Sequence, residues 1–173
     1  AYTLSLTLTD IYDKMNISNA VFNFKNFDVS VLNVVKTQMK LPKELEQQMA
    51  LISDIRGKTN INGHINNGKI WANTNLANIS FVYKPYNTLV RILNGQAKIR
   101  GNELYLERVN TKVSSMPVFI DGSVSDIYTK PNLHLFVSAK PTQVFFDRFL
   151  NSKSVYPVKL KGDVNFNAHL RGT

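Results

Sequence analysis

Apolar and polar residues alternate along most of this chain. In Tyr2-Thr3-Leu4-Ser5-Leu6-Thr7-Leu8-Thr9, three leucines share one parity and hydroxyls occupy the other. Successive side chains of an extended backbone point to opposite faces, so this period predicts a half-buried strand. The pattern returns at residues 59–65, 104–106, 117–120 and 133–137. It is most regular near the end, where Val158, Leu160, Val164, Phe166, Ala168 and Leu170 oppose Lys159, Lys161, Asp163, Asn165, Asn167 and His169. Trp71, Ile79 and Phe81 share a parity in a stretch that is apolar on both faces, which leaves their side open.

Turn chemistry separates the runs. Asn66-Asn67-Gly68 predicts a tight hairpin, since Asn and Gly accept the positive φ that such a turn needs. Gly101-Asn102 divides two further runs, and Asp121-Gly122 marks a bulge or bend within a continuing strand. Many strands joined by short turns predict an antiparallel meander; the long crossovers of a parallel sheet are absent from the pattern.

The alternation breaks twice. Asp28 is placed to cap a helix carrying Val31, Leu32, Val35 and Met39 on one face. Pro42 then opens a second helix with Leu45, Met49 and Ile52 at helical spacing. A third short helix follows Pro141-Thr142 and carries Val144, Phe145, Phe149 and Leu150. Helical insertions are thus expected at about 28–53 and 141–151. Each leads into a similar strand: Gly57, Asn60, Asn62 and His64 align with Gly162, Asn165, Asn167 and His169. This spacing predicts one elongated repeat sheet over 1–173, with a partial repeat at about 20–66 and a second at about 69–173. Both ends are expected to be cuts within a longer chain.

Composition changes this picture little. Of 173 residues, 43% are hydrophobic and 19% charged, the balance of a chain that folds. With no Cys, disulfides and thiolate metal sites are excluded. The net charge of +9 and pI near 9.8 suit nucleic acid, anionic head groups or an acidic protein, but the cations are scattered rather than clustered.

Candidate chemistry is sparse. His64, His134 and His169 each oppose their aliphatic neighbours, and either converge on a metal or face solvent. No carboxylate stands at ligand spacing beside them, which favours solvent. Nucleophile-elbow and phosphate-loop patterns are missing, so no cofactor and no enzymatic activity are expected. Tyr83, Tyr86, Arg91, Lys98, Arg100, Tyr105 and Arg108 mix aromatic and basic residues as single-strand binders do. An ordinary polar sheet face has the same make-up, and no nucleic-acid partner is expected.

The aliphatic parity is the feature that demands a partner. Three short helices are too few to cover nine or ten strands, and apolar area left in water costs about 25 cal/mol per Å². Two arrangements remove it from water: a sandwich of the sheet's own halves, or an open sheet filled by something apolar.

The order of motifs from residue 71 to 140 carries a resemblance. A strand ending Asn75-Leu76-Ala77-Asn78-Ile79 precedes Leu93-Asn94-Gly95-Gln96-Ala97-Lys98-Ile99, then Gly101-Asn102-Glu103-Leu104-Tyr105-Leu106. Met116-Pro117-Val118-Phe119-Ile120-Asp121-Gly122-Ser123-Val124 and Pro131-Asn132-Leu133-His134-Leu135-Phe136-Val137 follow. This order resembles the repeat of AsmA/TamB-like envelope proteins, most closely TamB. Each motif is degenerate and the specificity lies in their sequence.

The resemblance implies a mainly β fold with a few short helices: a long antiparallel meander curled lengthwise into an open half-pipe, or β-taco, with an apolar concave face. It implies the periplasm of a diderm bacterium, a parent chain anchored in the inner membrane, and phospholipid carried toward the outer membrane as in chorein-type bridge proteins. An outer-membrane barrel partner of the TamA type would meet other parts of the parent chain. The lining expected for acyl chains is Ile61, Leu93, Ile99, Leu104, Leu106, Val118, Ile120, Leu133, Leu135, Val137, Val164 and Phe166. A scaffold whose sheet edges template barrel strands is the alternative.

Overall fold

The computed structural model describes residues 2–9, 16–34, 43–149, 159 and 161–172. Among them are ten strands: β1 (Tyr2–Thr9), β2 (Asn16–Asp28), β3 (Ile52–Arg56), β4 (Lys58–Asn66), β5 (Lys69–Tyr83), β6 (Thr88–Arg100), β7 (Glu103–Val113), β8 (Met116–Ser125), β9 (Asn132–Ala139) and β10 (Phe166–Gly172). Helical segments interrupt them, among them α1 (Lys43–Ala50) and α2 (Gln143–Phe149).

All strands belong to one antiparallel sheet that does not close on itself. Its order is β1-β2-β4-β5-β6-β7-β8-β9-β10, with β3 paired to the far half of β5. β3 and β4 together run along the 15-residue β5, separated only by Gly57. The expected meander is therefore present. Asn67 and Gly68 make the two-residue β4–β5 turn, both with positive φ (48° and 70°), as that turn requires.

Both helical insertions leave the sheet at the same end of the strands. One joins β2 to β3 and the other joins β9 to β10. In each case the returning strand pairs with the one that preceded the insertion: β4 with β2, and β10 with β9. The glycines aligned by the repeat, Gly57 and Gly162, both have positive φ.

The first insertion differs from its expected form. The Asp28 side chain accepts from Ser30 N–H at 2.9 Å and caps a 3-10 turn, Val29–Val31, that passes into α-helical backbone at Leu32, Asn33 and Val34. Ile52 begins β3 instead of extending α1. Val35, Met39 and Pro42 lie outside the described residues, as do Leu150 and Val158. The second insertion starts where expected: Thr142 receives N–H bonds from Phe145 on its hydroxyl and from Phe146 on its carbonyl.

Packing is concentrated under the first insertion. Val29, Ile55 and Ile79 are buried together, with Phe27, Met49, Ile52, Leu76, Phe81 and Ile92 against them. Asn33 secures this corner by donating to Ile55 O at 2.9 Å and accepting from Ile55 N–H at 3.2 Å. Elsewhere the sheet is thinly covered. The chain exposes 12026 Å², whereas a compact globule of this mass would expose about 8,600 Å².

A row of irregular residues crosses the sheet. Asn26 in β2, Asn78 in β5, Gly95 in β6, Arg108 in β7 and Gly122 in β8 all have positive φ within continuing strands, and Gly57 has it between β3 and β4. They are neighbours in register: Gly57 abuts Asn78 and Ile79, Gly95 abuts Arg108 and Val109, and Gly122 abuts His134 and Leu135. Side chains complete the exposed backbone, with Asn26 N–H donating to Asn60 Oδ1 and Arg108 N–H to Asp121 Oδ2, both at 2.9 Å. Each such residue bends its strand and resets which parity faces which side.

Candidate functional site

Cross-strand partners share a face, so the register sorts the side chains. One row runs Ile61, Thr74, Ala97, Leu106, Gly122, Leu135, Leu170 from β4 to β10. The next runs Gly63, Ala72, Ile99, Leu104, Val124, Leu133, Gly172. Beyond the irregular row, Ile79, Ile92, Thr111, Val118, Ala139 and Phe166 follow one another, and Val109, Ile120, Val137 and Ala168 lie between. Ala20, Phe22 and Phe24 of β2 complete the rows through Ile65, Gly63 and Ile61. Nearly every position on this face is aliphatic, aromatic or glycine.

Ten of the twelve residues expected to line a groove fall on this face. Ile61, Ile99, Leu104, Leu106, Ile120, Leu133, Leu135 and Val137 are half-buried, Val118 is buried, and Phe166 is 55% exposed on β10. A sandwich would bury such mid-strand aliphatics fully. Most of this face is only half-buried; full burial is confined to the corner under Val29 and Met49, to Ala20, and to Val109, Val118 and Ala139 on β7, β8 and β9.

Two expected lining residues are elsewhere. Leu93 lies at the irregularity between Ile92 and Asn94 and is 39% exposed, while Ile92 takes the place on the aliphatic face. Strict alternation from Ile99 back to Leu93 fails because Gly95, at φ 148°, shifts the parity. Val164 precedes β10 in irregular backbone and is exposed. The same effect resolves the β5 ambiguity: Trp71 pairs with His64 and Arg100 on the polar face, whereas Ile79 and Phe81 reach the buried corner on the other side of Asn78. Ile92, Leu76 and Val109 were the aliphatic-face residues that alternation missed. The signal for Leu76 and Ile92 was a mid-strand Asn or Gly; Arg108, which shifts the parity before Val109, carries none.

The opposite face is polar. One row reads Asn23, Asn62, Asn73, Lys98, Tyr105, Ser123, His134, Arg171. Lys98 pairs with Glu107 at 2.6 Å, and Arg100 Nη2 donates to Asn73 Oδ1 at 2.8 Å. Tyr105 donates its hydroxyl to Glu103, whose carboxylate bond raises the phenol above its usual range. Asp28 is held below the usual carboxylate range, first by its hydrogen bond with Ser30.

The histidines take separate places. His64 stacks on Trp71 (centroids 5.4 Å, 3°), His169 lies 5.2 Å from Phe136, and His134 is exposed. Among the described residues no three His, Asp or Glu side chains converge as metal ligands, and no helix is long and apolar enough to cross a membrane. Of the basic and aromatic residues that suggested single-strand binding, Lys98 is ion-paired, Tyr105 is bonded to Glu103, and Tyr83 packs by Tyr86 at 5.9 Å. Comparison with protein-family models, with curated proteins and with solved structures returns no match.

Proposed function

We propose that this chain is a non-enzymatic segment of an AsmA/TamB-like envelope protein whose aliphatic sheet face carries phospholipid acyl chains between inner and outer membrane. One observation supports the reading: rows made largely of aliphatic residues run from β4 to β10, and most of their side chains stay only half-covered. Such a face is too costly to leave in water and is non-directional, as a surface for acyl chains must be. Each methylene removed from water contributes about 0.8 kcal/mol, so ten methylenes along the face supply about 8 kcal/mol.

The curl needed for a half-pipe has a physical source in the irregular row. Successive strands that bend at neighbouring positions fold a sheet about an axis perpendicular to the strands, giving a trough that lengthens by ~4.8 Å per strand. In this reading the aliphatic face is concave, acyl chains lie along it, and head groups stay at the open seam. The segment works in the periplasm of a diderm bacterium, with the inner-membrane anchor and any TamA-like contact elsewhere in the parent.

The scaffold reading has one observation in its favour. Among the described residues β10 pairs only with β9, and strand addition at such an edge is what a template for barrel strands would use.

Extraction and mass analysis of lipid from purified protein tests the first reading. Phospholipid should co-purify with the native chain and be lost when Leu106 and Ile120 are both changed to Glu, with the far-ultraviolet spectrum retained. Lipid carried unchanged by that variant, or absent from the native chain, refutes it.

A further inference from the structure

We infer that the polar face holds a glycan-binding site centred on Trp71, on the side of the sheet away from the aliphatic rows. Two open depressions meet there and share Trp71 and Arg100. One, of about 660 Å³, adds Asn23, Asn62, His64 and Asn73; the other, of about 480 Å³, adds Lys69, Asn102, Glu103 and Tyr128. Together they reach from β2 to β7, where the β8–β9 loop folds onto Asn102, four strand spacings or about 19 Å, enough for several sugar units.

The parts are held in place before any ligand arrives. The His64 ring lies parallel to the Trp71 indole, fixing its plane. Arg100 is tied to Asn73 Oδ1 and to the carbonyls of Ala72 and Ile99. The loop bearing Tyr128 is clamped by Asn102, whose side-chain amide donates to Asp126 Oδ1 at 2.8 Å and whose carbonyl accepts from Ile127 N–H at 3.2 Å. Tyr128 itself is 53% exposed, a flat amphipathic ring on a loop whose backbone is bonded to Asn102.

Flat aromatic plates flanked by planar amides suit the alternation of a sugar, whose C–H face is apolar and whose rim is hydroxyl. A polyphosphate would instead need a track of free cations. Of the two cations that line the depressions, Arg100 is turned onto Asn73 Oδ1 and two carbonyls and Lys69 shares its depression with Glu103, while Asn supplies most of the remaining polar groups. The site therefore reads hydroxyls rather than phosphates.

Trp71 is the sole tryptophan of the chain, so its fluorescence reports on the site directly. Titration with β-linked hexasaccharides of glucose and of N-acetylglucosamine should give a saturable change with at least one of them. Tyr128→Ala and Asn73→Ala, checked for retained circular dichroism, should each weaken it about tenfold. Absence of a saturable response to either sugar overturns the inference, as does an equal response in both variants. Tighter, steeply salt-dependent binding of a single-stranded oligonucleotide overturns it in favour of nucleic acid.

Discussion

Gly122 lies in mid-β8 between Leu106 and Leu135, with φ at 135°, a conformation that side chains rarely adopt. A Cβ there would overlap the His134 carbonyl oxygen and sit 3.0 Å from Leu135 Cα. Both neighbours are backbone, so neither can swing aside. Gly122→Ala thus incurs strain of about 1–3 kcal/mol from the dihedral and a further ~1–3 kcal/mol from forcing β8 and β9 apart. A total near 4 kcal/mol corresponds to about 8–16 °C in melting temperature for a chain of this size. Gly68→Ala is the matched control: φ is 70° and nothing lies within 4 Å of the new atom. It should lose about 1 kcal/mol, or roughly 2–4 °C. Thermal unfolding followed by far-ultraviolet circular dichroism measures both. If the two variants melt within about 2 °C of each other, the close approach of β9 to Gly122 is wrong, and with it the irregular row at β8.

Three further outcomes are expected. Asn33→Ala removes both bonds to the Ile55 backbone at the buried corner and should cost about 1–3 kcal/mol in denaturant unfolding, against much less for an exposed Asn such as Asn66. Lys98 and Glu107 are 31% and 39% exposed, so a double-mutant cycle should give a coupling below about 1 kcal/mol that fades with salt. The Tyr105 phenol is raised by Glu103, so stability from that bond is present at neutral pH and lost as pH rises through the folded-state value; spectrophotometric titration should show Glu103→Gln returning the phenol toward its ordinary range.

Much of the sheet was legible in the sequence because alternation is a local property. The hairpin at Asn67-Gly68, the turn at Gly101 and the bend at Asp121-Gly122 follow from residues that tolerate positive φ. What alternation could not carry was parity across a strand interior. Asn26, Asn78 and Arg108 adopt positive φ without being glycine, held by cross-strand partners that only the pairing brings near. Like Gly95, which put Ile92 where Leu93 was expected, Asn78 moves the aliphatic set by one position, which is why Trp71 and Ile79 part company. Ile52 was read as helical because its spacing from Met49 fits both a helix and a strand start; pairing with Tyr83 decides the matter. The polar depressions around Trp71 were not visible at all, since they depend on β4, β5, β6 and a distant loop meeting.

The ladder order has a mechanical consequence. From β6 to β10 every strand is bonded only to strands next to it in sequence, so this part of the sheet can come apart one strand at a time, as a zip does, without a single global rupture. Along that part β10 leads, being held only by β9 among the described residues and largely exposed, and its amide hydrogens should exchange before those of β6 to β9. Opening from that end halts where Val29, Ile55 and Ile79 lock the 29–31 turn, β3 and β5 into one cooperative block, so the most protected amides should lie there.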